Sequence, residues 1–273
     1  MKQLKFKVKI FFIIFVSILV AGSVTFSLLE GISLTNAFYF TIATISTVGY
    51  GDVHPLTDTG KIVAVLIIIL GVGAFLGIVA NSLEIVLSIR EKKQRAEKLN
   101  MIVGAFFSEA GTQMIADFSK LDPGIDRIRK HLVTEIESTI QSFDEIKKKL
   151  KAYDYRIELE PETLPALKKF LVERKHLFLR LMENPHILEH ESFSDLLMAV
   201  FHLAEELEHR KKIRHLPEED LDHLRGDIER VYSQLVNQWL EYMEHLKKNY
   251  PYLFSLALRL NPFNPEASAV IES

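Results

Sequence analysis

Two long apolar runs dominate the first third of the chain. One covers roughly Val8 to Leu29 and the other Ile62 to Ile89, interrupted only by Glu84 and small polar residues. A helix needs about 20 apolar residues to cross the hydrocarbon core of a bilayer, and both runs reach that length. The first run is too long for a signal peptide and has no small-residue cleavage pattern within it. A third apolar stretch, Thr35 to Ser46 (TNAFYFTIATIS), lies between the two and is too short to span. It opens on Thr35-Asn36, a pair suited to capping a helix. A short apolar helix between two spans reads as a re-entrant segment, tolerated only where protein or a water-filled cavity surrounds it.

The pattern changes after Arg90. Apolar residues now recur at helical spacing among dense charges of both signs. The periodicity predicts a Gly-interrupted amphipathic helix over Phe106 to Leu121, a break at Asp122-Pro123-Gly124, and a longer helix to about Leu150. Tyr153 to Glu160 (YDYRIELE) is the sole strand-like alternation, either a strand or simply extended chain. Pro161 and Pro165 open the next helix, which stops at Asn184-Pro185; another runs from Ser192 to about Ile213, and Pro217 opens the last long one. In that last helix Leu221, Leu224, Ile228, Val231, Leu235, Trp239, Tyr242 and Leu246 form a seam of the kind that makes a bundle core. The closing segment, Tyr250 to Phe254 and on through Asn261-Pro262-Phe263, is aromatic and punctuated by proline; it either packs back on the bundle or is presented to a partner.

Charge adds orientation. Lys2, Lys5, Lys7 and Lys9 precede the first span, and Arg90, Lys92, Lys93, Arg95 and Lys98 follow the second. The intervening loop carries Glu30, Asp52 and Asp58, with Lys61 at its end. The positive-inside rule then predicts a multi-pass protein of the cell membrane with both termini cytoplasmic. The net charge of −3 gives no electrostatic case for nucleic acid. Cysteine is absent, so disulfides and thiolate metal sites are excluded. Neither span contains arginine, which argues against a voltage sensor.

Directly after the short helix stands Thr47-Val48-Gly49-Tyr50-Gly51-Asp52. A cation leaving water needs oxygens to replace its hydration shell. Backbone carbonyls supply them when left-handed and ordinary conformations alternate, and glycines two apart allow that at little steric cost. Residues from about Ile10 to Arg90, roughly a third of the chain, resemble the two-transmembrane pore module of prokaryotic potassium channels. The resemblance implies a homotetramer in the lipid bilayer, with potassium ions as permeant ligand and no organic cofactor. It implies that the carbonyls of Thr47, Val48, Gly49 and Tyr50 bind potassium, with Gly51 and Asp52 as support and Tyr50 bracing the filter from behind. Many relatives have tryptophans where this chain has Tyr39 and Phe40, and some have a glutamate at the place of Ala43. Tyr39 keeps a hydroxyl able to bond near Asp52; Phe40 does not.

The expected organisation is an all-α membrane protein: two transmembrane helices with a re-entrant pore helix and filter, followed by a cytoplasmic α-helical bundle. Residues 1–9 form the cytoplasmic N-terminus and 10–89 the pore module, with an outer helix at about 8–29, a pore helix at 35–46, the filter at 47–52 and an inner helix at 62–89. Residues 90–100 read as a basic linker and 101–273 as the cytoplasmic helical domain.

The inner span contains Leu70-Gly71-Val72-Gly73-Ala74-Phe75, similar to the LGxGxF of calcium-gated archaeal channels. By that resemblance Gly71 is the gating hinge; close packing of small residues is the other reading. Glu84 would ring the inner vestibule and concentrate cations, or pair with Arg90 at the interface. The similarity to calcium-gated channels stops near Arg90, since no glycine-rich strand–helix pattern follows, so calcium gating does not carry over. In the helical domain His202, Glu206 and His209 fall on one helix face, a spacing that suits a transition metal or a proton sensor, or is a solvated face with incidental histidines. The leading reading is a potassium-selective channel subunit, not an enzyme, gated at the inner helices by an unidentified input to the helical domain. A membrane-anchored scaffold and a membrane-tethered metalloenzyme are the other classes.

Overall fold

The computed structural model describes residues 2–138, 140–188 and 190–270. The chain divides into two compact units, 1–94 and 95–273. Among the described residues all regular structure is helical, as the sequence pattern predicts.

In the first unit α1 (Lys2–Glu30), α2 (Leu34–Ile45) and α3 (Asp58–Ile67) pack on one another. A π-helical turn, Ile68–Val72, joins α3 to α4 (Gly73–Phe106). The stretches Gln3–Glu30 and Asp58–Lys120 are long and apolar enough to cross a membrane. The inner span thus begins at Asp58, several residues before its apolar run, because Thr57 caps it and accepts from the Gly60 amide at 3.0 Å. Residues 90–100 lie inside α4 and are helical. The capping pair expected at Thr35-Asn36 is displaced: Ser33 is the N-cap and accepts from the Asn36 amide at 3.2 Å, so α2 starts at Leu34. A small core of Phe26, Ala37, Phe40, Ile45, Ala64 and Ile67 locks the three helices together. Phe26 and Phe40 stack with ring centroids 4.1 Å apart.

In the second unit a π-helical turn, Phe107–Gly111, leads from α4 to α5 (Thr112–Lys120). The helix expected to run unbroken to Leu150 is instead split into α6 (Asp126–Val133), a 3₁₀ turn at Glu135–Glu137, and α7 (Gln141–Lys151). Thr134, Ser138 and Ile140 supply β-branched or hydroxyl residues with low helix preference at the break. Tyr153–Glu160 alternates inward and outward as its sequence does, with Ile157 and Leu159 buried, yet it is extended chain without a strand partner among the described residues. Its amides bond elsewhere: Glu158 N donates to Leu121 O at 2.8 Å and Ile157 N to Glu229 Oε1 at 3.0 Å.

The bundle continues with α8 (Leu164–Met182), α9 (Pro185–Leu188), α10 (Glu191–His209), α11 (Glu218–Asn249) and α12 (Pro251–Arg259). Helix α10 packs on both α8 and α11. The predicted α11 seam is core: Leu221, Leu224, Ile228, Val231, Leu235, Trp239 and Leu246 are buried, and Tyr242 is partly so. The C-terminal aromatic segment packs back, with Phe263 edge-on to Trp239 at 5.2 Å and Asn261 Nδ2 donating to Leu132 O at 2.9 Å.

Candidate functional site

Helix α2 ends in a tight turn that carries TVGYGD. Ala43 O, left free at the helix C-terminus, accepts from both Val48 N and Gly49 N at 3.0 Å, and Thr44 O accepts from Thr47 N at 3.0 Å. These bonds fold the segment back along the helix end. Thr47, Gly49 and Gly51 have φ of 61°, 54° and 80°, while Val48 and Tyr50 between them do not enter the positive region. Positive and ordinary φ thus alternate from Thr47 to Gly51. Glycine supplies the positive φ at 49 and 51. Thr47 adopts it against its own preference, at about 1–2 kcal/mol. That position was not readable from sequence, since a β-branched residue argues against positive φ.

Tyr50 stacks on Tyr39 of α2, with ring centroids 6.3 Å apart and planes 7° from parallel. Asp52 Oδ1 accepts from Val53 N at 3.1 Å. Phe40 cannot bond the segment and is used for stacking on Phe26 instead.

Behind the turn, a second device fixes the start of α3. Glu30, the last residue of α1, accepts from Leu56 N (2.9 Å), Thr57 N (3.1 Å) and the Thr57 hydroxyl (2.7 Å). These partners stand 26 and 27 residues away, so no local pattern announces them. Gly60 makes room for the carboxylate, because a Cβ there would overlap Glu30 Oε1. Gly60→Ala is therefore expected to lower the melting temperature of the detergent-solubilised protein. In the Glu30→Ala background the same change is expected to cost little more, since the two act through one contact. Additive losses in a thermal-shift series would contradict the clamp.

Gly71 is buried inside the π turn, and a Cβ on it would lie 2.5 Å from Ile45 Cγ1 and 2.7 Å from Cδ1. Gly77 similarly faces the Phe11 ring, whereas Gly73 faces open space. At Gly71 a close approach to the end of α2 coincides with a local break in helical register, which π turns mark. Glu84 is exposed on α4, and among the described residues no ion pair joins it to Arg90.

In the helical unit His202, Glu206 and His209 border one cleft, but among the described residues their ligand atoms do not converge on one point. His209 Nδ1 donates to the Glu205 carbonyl at 2.8 Å, on its own helix. Glu206 Oε2 accepts from Arg210 at 2.5 Å, and Arg210 also grips Asp220 through bonds of 2.9 and 2.7 Å. These charge-assisted bonds hold the carboxyls of Glu206 and Asp220 below their ordinary range. His202 instead converges with His223 and Asp227 of α11. The sequence signal for them is the four-residue spacing of His223 and Asp227 on one helix.

Comparison with known proteins agrees with this division. Residues 13–88 match the family described as ion channel, and residues 95–259 match the C-terminal helical domain of uncharacterized protein MJ1433. The chain is 49% identical to uncharacterized protein MJ1433 of Methanocaldococcus jannaschii over 195 residues, 71% of this chain and 78% of that protein. It is 40% identical to potassium channel protein 1 of the same organism over 68 residues, 25% of this chain and 20% of the channel. It is also 40% identical to the calcium-gated potassium channel TvoK of Thermoplasma volcanium over 63 residues, 23% and 18% of the two chains. The similarity thus spans about a fifth of each channel's length. No solved structure matches.

Proposed function

This chain belongs to the family of uncharacterized protein MJ1433 and carries a potassium channel pore domain ahead of that family's C-terminal helical domain, and from this premise we propose that it is one subunit of a homotetrameric, potassium-selective channel. The observation that carries the reading is the alternation of positive φ at Thr47, Gly49 and Gly51, in a TVGYGD segment anchored to the end of a short apolar helix. Repeated around an axis by further subunits, such a segment offers rings of carbonyl oxygens to a dehydrated ion.

The finer assignments extend the proposal by the resemblance of residues 10–90 to potassium channel pores. The carbonyls of Thr47 to Tyr50 bind potassium, and Thr47 adds its hydroxyl at the inner end. Tyr50, stacked on Tyr39, braces the segment from the protein side. Helix α2 is re-entrant, its apolar residues packed against α1 and α3. The loop that contains Asp52 faces outward, and the lysine-rich N-terminus and the helical unit are cytoplasmic. Gly71 is the gating hinge and the Glu84 side chains line the inner vestibule. The input that moves the gate acts on the helical unit, to which α4 gives a continuous covalent path from Gly73 to Phe106.

Ion flux into proteoliposomes tests the core of the proposal. Potassium is expected to enter and sodium to be excluded. Equal permeation of the two ions, or none of either, would overturn it.

A further inference from the structure

The geometry points to a divalent transition-metal site in the helical unit, formed by His202 of α10 with His223 and Asp227 of α11. One ligand atom from each lies within 4.8 Å of the other two. The residue that makes this more than a surface cluster is Asp227. It is only 3% exposed, and its Oδ2 has no hydrogen-bond donor among the described residues. A buried carboxylate oxygen without a partner is costly, and such atoms are uncommon in folded proteins.

The distances around that oxygen discriminate between explanations. His202 Nε2 is 3.6 Å from Asp227 Oδ2 and His223 Nε2 is 3.5 Å from it. Both are beyond the 2.7–3.2 Å of a typical N–H···O bond. They are close to the edge of a tetrahedron with metal–ligand bonds of about 2.1 Å, which is about 3.4 Å. An ion placed between the three groups would satisfy Oδ2 and both imidazoles at once.

The surroundings complete the site. Arg230 holds the other carboxylate oxygen, Oδ1, at 3.2 Å, which leaves Oδ2 turned to the histidines. Glu206 Oε2 stands 3.9 Å from His223 Nε2 and is oriented by Arg210, so it is placed to hold a water in the fourth position. His202 and His223 are about half exposed, and His202 borders an open cleft of about 650 Å³ shared with Phe201, Glu206 and Arg210, which gives an ion its way in. Two imidazoles and one carboxylate suit zinc or its first-row neighbours; calcium and magnesium prefer all-oxygen sites. Bound there, the ion would clip α10 to α11. The inference stands apart from the pore reading, because metal binding succeeds or fails whatever the pore conducts.

The test uses the full chain in detergent, stripped with chelator, with Zn²⁺ and Co²⁺ as probes. About one Zn²⁺ per chain is expected, with a rise in melting temperature, and Co²⁺ should show the strong visible absorption of tetrahedral coordination. The His202→Ala/His223→Ala double variant removes only half-exposed side chains, so circular dichroism should find it folded. It should bind at least about 100-fold more weakly, whereas His209→Ala should bind as the parent does. Substoichiometric zinc in the parent, or unchanged affinity in the double variant, would overturn the site. So would stabilisation by mild acid to the same extent with and without zinc, which would make the cluster a pair of imidazolium–carboxylate contacts.

Discussion

Gly49→Ala is expected to abolish selective potassium flux while leaving the chain folded. The reason is conformational, not steric. Gly49 has φ of +54°, and a Cβ built on it meets nothing within 4 Å in its own chain. An L-residue in this region costs about 1–2 kcal/mol, or about 4–8 kcal/mol over the four subunits of the proposed tetramer. The segment already carries one such cost at Thr47, with φ of 61°. A second would act on the same short ribbon, whose backbone α2 holds through the bonds to Ala43 O and Thr44 O. The peptide around residue 49 is then expected to rotate out of the alternating pattern and turn a carbonyl away from the ion path. Gly73→Ala is the matching control. Gly73 begins α4 with ordinary helical backbone, and a Cβ there also meets open space. That change should keep flux and strengthen the helix by up to about 1 kcal/mol. A Gly49→Ala protein with parental potassium flux and sodium exclusion would mean that the alternation does not carry conduction.

The contrast between Gly49 and Thr47 also shows what a sequence discloses. The glycines at 49 and 51 are local chemistry, so their left-handed backbone could be expected from residue type alone. Thr47 takes the same conformation because the bonds to the end of α2 impose it, and residue type pointed the other way. The same limit explains the cap of α2. Thr35-Asn36 and Ser33 are all competent caps by residue type, and which of them serves is seen only in the structure, where Ser33 accepts from the Asn36 amide. Long-range partners were invisible for a simpler reason. The spacing of His202, Glu206 and His209 defines one face of α10 but does not say which helix that face meets. Once α11 packs there, His223 and Asp227 become the partners, and His209 turns to its own backbone. Glu30 is similar: a lone acid at the end of a span gives no hint of amides at Leu56 and Thr57. The all-α class, the two spans, the short helix between them and the α11 seam depend on periodicity over many residues, and these the sequence did disclose.

Gly71→Ala is expected to impair the protein through Ile45, and the pair can be separated from simple helix bending by a double-mutant cycle. A Cβ at residue 71 would lie 2.5 Å from Ile45 Cγ1 and 2.7 Å from Cδ1. Ile45 is buried among α1, α2 and α3, so it has little room to swing aside. Overpacking of this kind costs about 1–3 kcal/mol, more than the roughly 1 kcal/mol that alanine gains over glycine in a helix. The net effect is therefore a loss, and its direction matters for function. Ile45 is the last residue of α2, and Thr47 follows two positions later. Pressure on Ile45 bears on the very turn whose carbonyls position Val48 and Gly49. Ile45→Ala alone should cost about 2–5 kcal/mol by leaving a cavity. Gly71→Ala in that background should be nearly neutral or even favourable, because its methyl enters the space that Ile45 vacated. The cycle, read from thermal stability and from potassium flux, should then show a coupling of about 1–3 kcal/mol in favour of the double variant. If Gly71 served only as a point of bending, alanine would stiffen the π turn equally in both backgrounds. A coupling near zero would assign Gly71 to bending alone, and a large one makes it the contact through which the inner helix and the TVGYGD turn sense each other.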